Sequence, residues 1–160
     1  HLGGRVLLPA RVGLRDRVRV LHRRDVLEAR GASVEAALTM RKKVFGEASL
    51  PVADSLNNLA RIRQDEHNLV EAEALFRQAA EIQKKFFGNN HPGLAATLHN
   101  LALVLRDEGK FSESEAILRQ VLEIRRKQFG DAHPSVAAAW LELAEVLALE
   151  QNSTNVKGNR

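Results

Sequence analysis

The sequence predicts an all-α solenoid in which similar helical hairpins stack side by side. The first observation is an internal repeat of 42 residues, because residues 46–87 and 88–129 align without a gap and share 17 identities. The second is a helical period inside the repeat. Leu94, Leu98 and Leu101 recur at i, i+4 and i+7, so they would form one buried helix face. A fixed period of this size is typical of stacked-repeat proteins.

Two full repeats, residues 46–87 and 88–129, are expected between two partial units, residues 31–45 and 130–150. Each full repeat would contain a first helix and a second helix, and residues 130–150 would supply a first helix alone. A proline suits the first turn of a helix, where its missing N–H costs no hydrogen bond. Prolines of this kind precede the three expected first helices: Pro51, Pro92 and Pro134.

Each full repeat is expected to turn at a short polar break, at residues 65–68 and 107–110, because short breaks join antiparallel helices. The second helices would then span Leu69–Phe87 and Phe111–Phe129, and glycines at positions 46, 88 and 130 would end the second helices. Ser112 and Glu115 have the spacing of a capping box. Stacking should bury the following leucines against second-helix residues such as Phe76 and Leu118: Leu59, Leu101 and Leu143.

The two ends of the sequence differ from the repeats. Residues 1–30 hold eight arginines and only a thin helical stripe of Leu14, Val18 and Leu21, so we expect a degenerate or partly disordered segment. Residues 151–160 are polar and predict a disordered tail. The first residue is His1 rather than Met, which predicts a fragment, a processed product or an incompletely defined gene.

Composition and motifs argue against several classes of function. The chain has no cysteine, which fits a reducing compartment, and we expect a cytoplasmic location. No apolar run approaches the ~20 residues of a membrane helix, so no membrane contact is expected. His91 and His133 would lie one hairpin apart, about 10 Å, which is too far for a shared metal. With no nucleophile or phosphate-binding motif, we expect no enzyme, no metal and no cofactor.

Several short pieces of the sequence resemble the tetratricopeptide repeat of the kinesin light chain and nephrocystin type. Trp140, Leu143, Ala144 and Leu147 match that motif in a first helix, and residues 129–137 match its Phe-Gly-x-x-His-Pro-x-Val-Ala piece. The resemblance covers roughly residues 31–150. It implies a right-handed tetratricopeptide-type superhelix that binds a protein or peptide and performs no chemistry.

The resemblance also implies that the first helices line a concave groove for an extended peptide or a partner helix. Asn58 and Asn100 occupy equivalent places in neighbouring repeats, and each amide can donate to and accept from a peptide backbone. The expected groove residues are Asn57, Asn58, Arg61, His99, Asn100, Arg106, Glu142 and Glu145.

The charges of the expected groove predict a partner of mixed charge. Glu142 and Glu145 would make one end acidic, while Arg61 and Arg106 would make another part basic. Two alternatives stay open. One is the regulatory array of a larger signalling protein or enzyme, and the other is a nucleic-acid adaptor, in which the arginines of residues 1–30 would bind phosphates. Self-association through the truncated repeat ends is expected in either case.

Overall fold

The computed structural model describes the backbone of residues 14–158 and the side chains of residues 19–156. Within that range the chain is all-α. The arginines before residue 19, and Leu14 and Val18 of the predicted stripe, lie outside the described side chains. The helices, in order, are α1 (Leu14–Phe45), α2 (Leu50–Asp65), α3 (Leu69–Phe87), α4 (Pro92–Asp107), α5 (Phe111–Phe129) and α6 (Pro134–Gly158).

Helices that follow one another along the chain pack against one another, from α1 on α2 through to α5 on α6. This serial packing produces the stacked hairpins that the repeat predicts. The α2/α3 hairpin is the first full repeat, and the α4/α5 hairpin is the second. The second helices α3 and α5 have the predicted bounds.

The turn inside each hairpin has the geometry of a Schellman motif, in which two backbone N–H groups bond back to the end of the helix. In the first repeat the N–H of Asn68 donates to the carbonyl of Arg63 at 2.8 Å, and that of His67 donates to Gln64 at 2.9 Å. The same bonds recur at residues 105–110. The motif needs a positive φ, which is 59° at His67 and 77° at the equivalent Gly109.

The loop between repeats is closed by a histidine that caps the next helix. His91 Nδ1 accepts from the N–H of Gly93 at 3.0 Å, while its ring stacks on Phe87 with centroids 3.9 Å apart. His133 is held in the same way, by the N–H of Ser135 and the ring of Phe129. These two histidines therefore have the loop and cap role that the repeat favours over metal binding.

The core is shared between neighbouring repeats. Leu101 of α4 is 2% exposed and belongs to the same cluster as Phe76 of α3, which is fully buried. Leu143 of α6 clusters with Leu118 of α5 in the same manner, and Leu59 is buried as well. The predicted leucine stack is present, so the predicted register is right. Trp140 departs from the pattern, since 49% of it is exposed on α6.

Ion pairs join the second helices across the repeat boundary. Glu73 of α3 accepts from Lys110, in the next turn, and from Arg77 at 2.7 Å. Arg77 also donates to Glu113 of α5 at 2.6 Å. Burial alone would raise the pKa of Glu73, but the hydrogen bonds from Lys110 and Arg77 outweigh burial and lower this pKa to about 2. The folded state therefore holds Glu73 as a carboxylate.

Two predictions about the ends of the chain differ from the structure. Residues 14–30 do not form a separate segment, because α1 runs through Gly31 without a break. Gly31 acts as a close-approach residue, since a Cβ there would lie 3.2 Å from Arg63 Nη1 of α2. At the other end, residues 151–158 continue α6 as a helix, with no glycine or proline before Gly158 to stop it. The predicted disordered tail is helical over this stretch.

The predicted capping box is also absent. The N-cap of α5 is Lys110, which makes no side-chain capping bond. Ser112 lies inside the helix instead, and its hydroxyl donates to Glu150 of α6. The serine thus joins α5 to α6 rather than closing the start of its own helix.

Arg63 occupies the place where the repeat has Leu105 and Leu147, and it is accommodated by carboxylates rather than by apolar packing. Its guanidinium lies 2.9 Å from Glu66 and 3.0 Å from Glu71, and it also pairs with Glu35 of α1. Burial alone would lower the pKa of Arg63, but the bonds to Glu71 and Glu66 raise it. An ion cluster therefore replaces the leucine contact between α1 and the first repeat.

Candidate protein-binding face

The expected groove residues lie on three first helices, α2, α4 and α6, which occupy equivalent places in successive repeats. We call the polar side of these helices the first-helix face, made by the eight expected residues together with Thr97. Contacts between the first helices join three pairs of these residues. Asn57 Nδ2 donates to Thr97 Oγ1 at 2.9 Å, which joins α2 to α4. His99 Nε2 lies 2.9 Å from Glu142 Oε1, which joins α4 to α6.

A third contact on this face pairs Arg106 of α4 with Glu145 of α6 at 3.3 Å. Glu142 and Glu145 therefore each contact a nitrogen of α4. The expected division into an acidic end and a basic part stays a prediction. Sequence alone could not show these pairs, because they join residues that are 43 and 39 positions apart.

The two asparagines of the repeat are available for a ligand. Asn58 is exposed on α2, and Asn100 is half-buried on α4. Among the described residues, neither side-chain amide has a hydrogen-bond partner in the chain. Each therefore presents two N–H donors and one carbonyl acceptor to solvent, one repeat apart. Their neighbours Asn57 and His99, by contrast, bond to adjacent helices.

Arg61 lies in a cleft of about 400 Å³ between α1 and α2, near Asn58. The cleft also contains Arg30 and Ser33 of α1, which are not among the residues expected at the site. Neither Arg30 nor Arg61 has an ion-pair partner within the described chain, although Asp65 lies in the same cleft. The cleft could have been predicted from one feature of the sequence, the glycine at position 31, which lets α1 approach α2 closely. In the sequence, that glycine instead favours a boundary between segments.

A larger cleft, of about 740 Å³, lies between the first half of α1 and the turn of the first hairpin. Val20 and Leu27 provide apolar lining, and Arg23 and Glu28 provide charges of both signs. The opposite wall is formed by residues 65–68. This cleft exists because α1 continues past the end of α2, and no local signal in the sequence predicts it.

No group of three or more His, Asp or Glu side chains between residues 19 and 156 is arranged to hold a metal ion. None of the described helices is both long and apolar enough to cross a bilayer.

Comparison with known proteins agrees with the repeat architecture. The family model described as "Tetratricopeptide repeat" matches residues 51–127 and, in a second overlapping match, residues 93–154. No curated protein matches the sequence.

Two solved structures from Podosopora anserina are similar to this chain: a provisionally assigned kinesin light chain with nearly identical TPR-like repeats, and a variant of it with one substitution. They are 25% and 24% identical, and each has a TM-score of 0.73 over 88% of this chain and 66% of its own. BtubC (BKLC) from P. vanneervenii is 20% identical, with the same TM-score over 84% of this chain and 54% of its own. The chain thus spans less than two thirds of the length of these structures.

Proposed function

Because the chain belongs to the tetratricopeptide repeat family, we propose that its first-helix face binds an extended segment of a partner protein. The family and the kinesin light chain-like neighbours support a protein-interaction repeat scaffold, and such scaffolds typically perform no catalysis. The proposed mechanism is recognition by shape and by hydrogen bonds to the ligand backbone. No bond of the partner is made or broken.

This proposal rests on two unpartnered side-chain amides, those of Asn58 and Asn100. They stand at the same place in adjacent repeats, and no described side chain competes for them. The hydrogen bond from Asn57 to Thr97 makes α2 and α4 neighbours, roughly 10 Å apart, and an extended chain advances about 3.3 Å per residue. One ligand strand lying across the face would therefore meet the two amides about three residues apart.

The bonded residues of the face have a different role in this proposal. Asn57 with Thr97, and His99 with Glu142, fix the spacing of the first helices before a ligand arrives. A preformed surface loses less conformational freedom on binding, so more of the contact energy appears as affinity. Arg61 and Arg30 would add a local positive charge at the α1 end. An acidic side chain of the ligand suits that end.

Two finer expectations about the protein stay predictions. Self-association through α1 and α6 is one of them, since both helices carry exposed apolar residues such as Val44 and Trp140. A cytoplasmic location is the other.

A peptide-display selection against the full chain tests the proposed groove. We expect a shared peptide motif among the selected sequences, and we expect Asn58→Ala/Asn100→Ala to weaken binding of that motif about 10–30-fold, because two net hydrogen bonds are lost. Asn89→Ala is the matched control, since Asn89 is an exposed asparagine in an inter-repeat loop. Circular dichroism verifies that both variants are folded. Selected peptides that bind the double variant as tightly as the unmodified chain would refute the proposal.

A further inference from the structure

One edge of the solenoid carries a repeated cluster that the proposed groove does not use. It lies where α1, α3 and α5 end and the inter-repeat loops begin. We call it the loop edge and define it as residues 40–47, 82–89 and 124–131, which are related by the 42-residue period. Each segment combines lysines or arginines with large apolar side chains, as in Lys-Lys-Val-Phe and Lys-Lys-Phe-Phe.

Positive charge is concentrated at this edge. The three segments hold eight Lys and Arg against two Asp and Glu, a net charge of +6, whereas the rest of residues 31–160 holds eight against fifteen, a net of −7. Only part of the positive charge is paired, for example Lys42 with Glu47 and Arg126 with Asp131. The exposed lysines with no ion-pair partner in the described chain are Lys43, Lys84, Lys85 and Lys127.

Large apolar side chains are exposed among these cations. Val44 is 69% exposed and Phe86 is 56% exposed. Within the described residues, Phe86 neither stacks on another ring nor belongs to a core cluster. Phe87 and Phe129 stack on histidines, yet each keeps at least 41% of its surface exposed. The whole apolar set is Met40, Val44, Phe45, Phe86, Phe87 and Phe129.

The clusters form a row rather than isolated patches. Gln128, in the third segment, donates through Nε2 to the carbonyl of Asn90, which directly follows the second segment, at 3.2 Å. Equivalent positions of stacked repeats are neighbours, so the first segment continues the same row. The row lies at the helix ends, away from the first-helix face of α2 and α4.

We propose that the loop edge is a peripheral docking surface for an anionic lipid bilayer. Lysines bind an anionic surface as point charges, and their methylene stems lie along apolar groups while the ammonium stays at the headgroups. The phenylalanines among them can enter the interface, where burial of apolar area adds to the electrostatic attraction. The lysines alone would suit any polyanion, and the exposed apolar residues of all three segments favour a surface that can bury them together, as a bilayer interface does. A peripheral contact of this kind needs no membrane-spanning helix.

Flotation of the full chain with vesicles tests the proposal. The chain should bind vesicles of 70% phosphatidylcholine and 30% phosphatidylserine, bind pure phosphatidylcholine far less, and dissociate as salt rises. We expect Lys84→Gln/Lys85→Gln to lower the partition coefficient about 30-fold. Phe86→Ser should lower it about tenfold.

The controls alter similar side chains away from the loop edge. Val70→Ser removes an apolar residue that is 74% exposed at the start of α3, and Arg61→Gln removes a cation of the first-helix face. Both should bind vesicles like the unmodified chain. All four variants alter accessible side chains, and circular dichroism verifies their folding. Absence of vesicle binding would overturn the proposal, as would equal losses in the controls. A loss in the lysine variant with none in Phe86→Ser would also overturn it, because it indicates a polyanion site without bilayer insertion.

Discussion

Replacing His67, which lies in the turn of the first hairpin, by glycine should stabilise the protein. His67 has φ 59°, and it is the only non-glycine residue with a positive φ in the described part of the chain. The second hairpin has Gly109 at the equivalent place, with φ 77°. The two repeats therefore make the same turn with different residues, which provides an internal comparison.

The magnitude follows from the backbone alone. The left-handed conformation raises the energy of a residue with a Cβ by roughly 1–2 kcal/mol. Glycine avoids this cost, but it loses roughly 0.5–1 kcal/mol more entropy when the chain folds. The side chain of His67 is exposed and makes no hydrogen bond within the described chain, so little else is lost. We expect His67→Gly to raise the free energy of unfolding by about 0.5–1 kcal/mol, and Tm by about 1–4 °C.

Urea and thermal unfolding followed by circular dichroism measure this effect. His67→Ala is the control, since it removes the imidazole and keeps the Cβ, and its stability should stay close to that of the unmodified chain. Gly109→Ala should have the reverse effect and lower the free energy of unfolding by about 1 kcal/mol. A Cβ at Gly109 meets no atom within 4 Å, so only the backbone opposes it. If His67→Gly were no more stable than His67→Ala, the backbone argument would be refuted.

Two further predictions concern the contacts between repeats. Leu101→Ala should lower the free energy of unfolding in urea by about 2–5 kcal/mol, because Leu101 is 2% exposed in the core cluster of Phe76. Unchanged stability would contradict the assigned stacking register. Glu73 has a folded pKa of about 2, below its usual 4.5, so its ionised form stabilises the fold above pH 4.5, and that contribution is lost as pH falls through 2. Unfolding measured between pH 7 and pH 2 should show the stability difference between the unmodified chain and Glu73→Gln shrinking below pH 4.5, whereas a difference independent of pH would contradict the ion-pair assignment.

The hairpins could be predicted because their signals are local. A glycine or an αL residue ends a helix through its own backbone, and the 42-residue period transfers each such signal to the next repeat. The bounds of α3 and α5 are consequently the same in sequence and structure. The period also places His67 in the turn, since it aligns with Gly109.

The ends of the chain could not be predicted because their signals depend on tertiary contacts. Gly31 resembles a boundary in the sequence, yet it lies inside α1, where a Cβ would come 3.2 Å from Arg63 Nη1 of α2. The polar residues after Glu150 resemble a disordered tail, yet α6 continues through them to Gly158, and Thr154 bonds to the carbonyl of Gln151. In both places the composition favoured an end to the helix and the local backbone did not supply one.

The 42-residue period suggests where the candidate site lies, but it does not predict which of its residues pair. Asn58 and Asn100 follow from the period, and both are unpartnered in the described chain. Glu142 and Glu145 follow from it too, but the choice of His99 and Arg106 as their partners depends on how far one repeat is rotated against the next. Such a rotation is a property of packed helices, and no single residue encodes it.

The length of α1 has a mechanical consequence. At 1.5 Å per residue, its 32 residues extend about 48 Å, twice the length of α2. Gly31, Glu35 and Arg41, in its second half, contact α2. An unbroken helix is stiff, so α1 can act as a lever with its fulcrum where Gly31 meets Arg63. A small force applied near Arg19 would produce a torque on the contact between α1 and α2. Displacement of the part of α1 before Gly31 would thereby move Arg30 and Ser33, in the cleft beside Asn58.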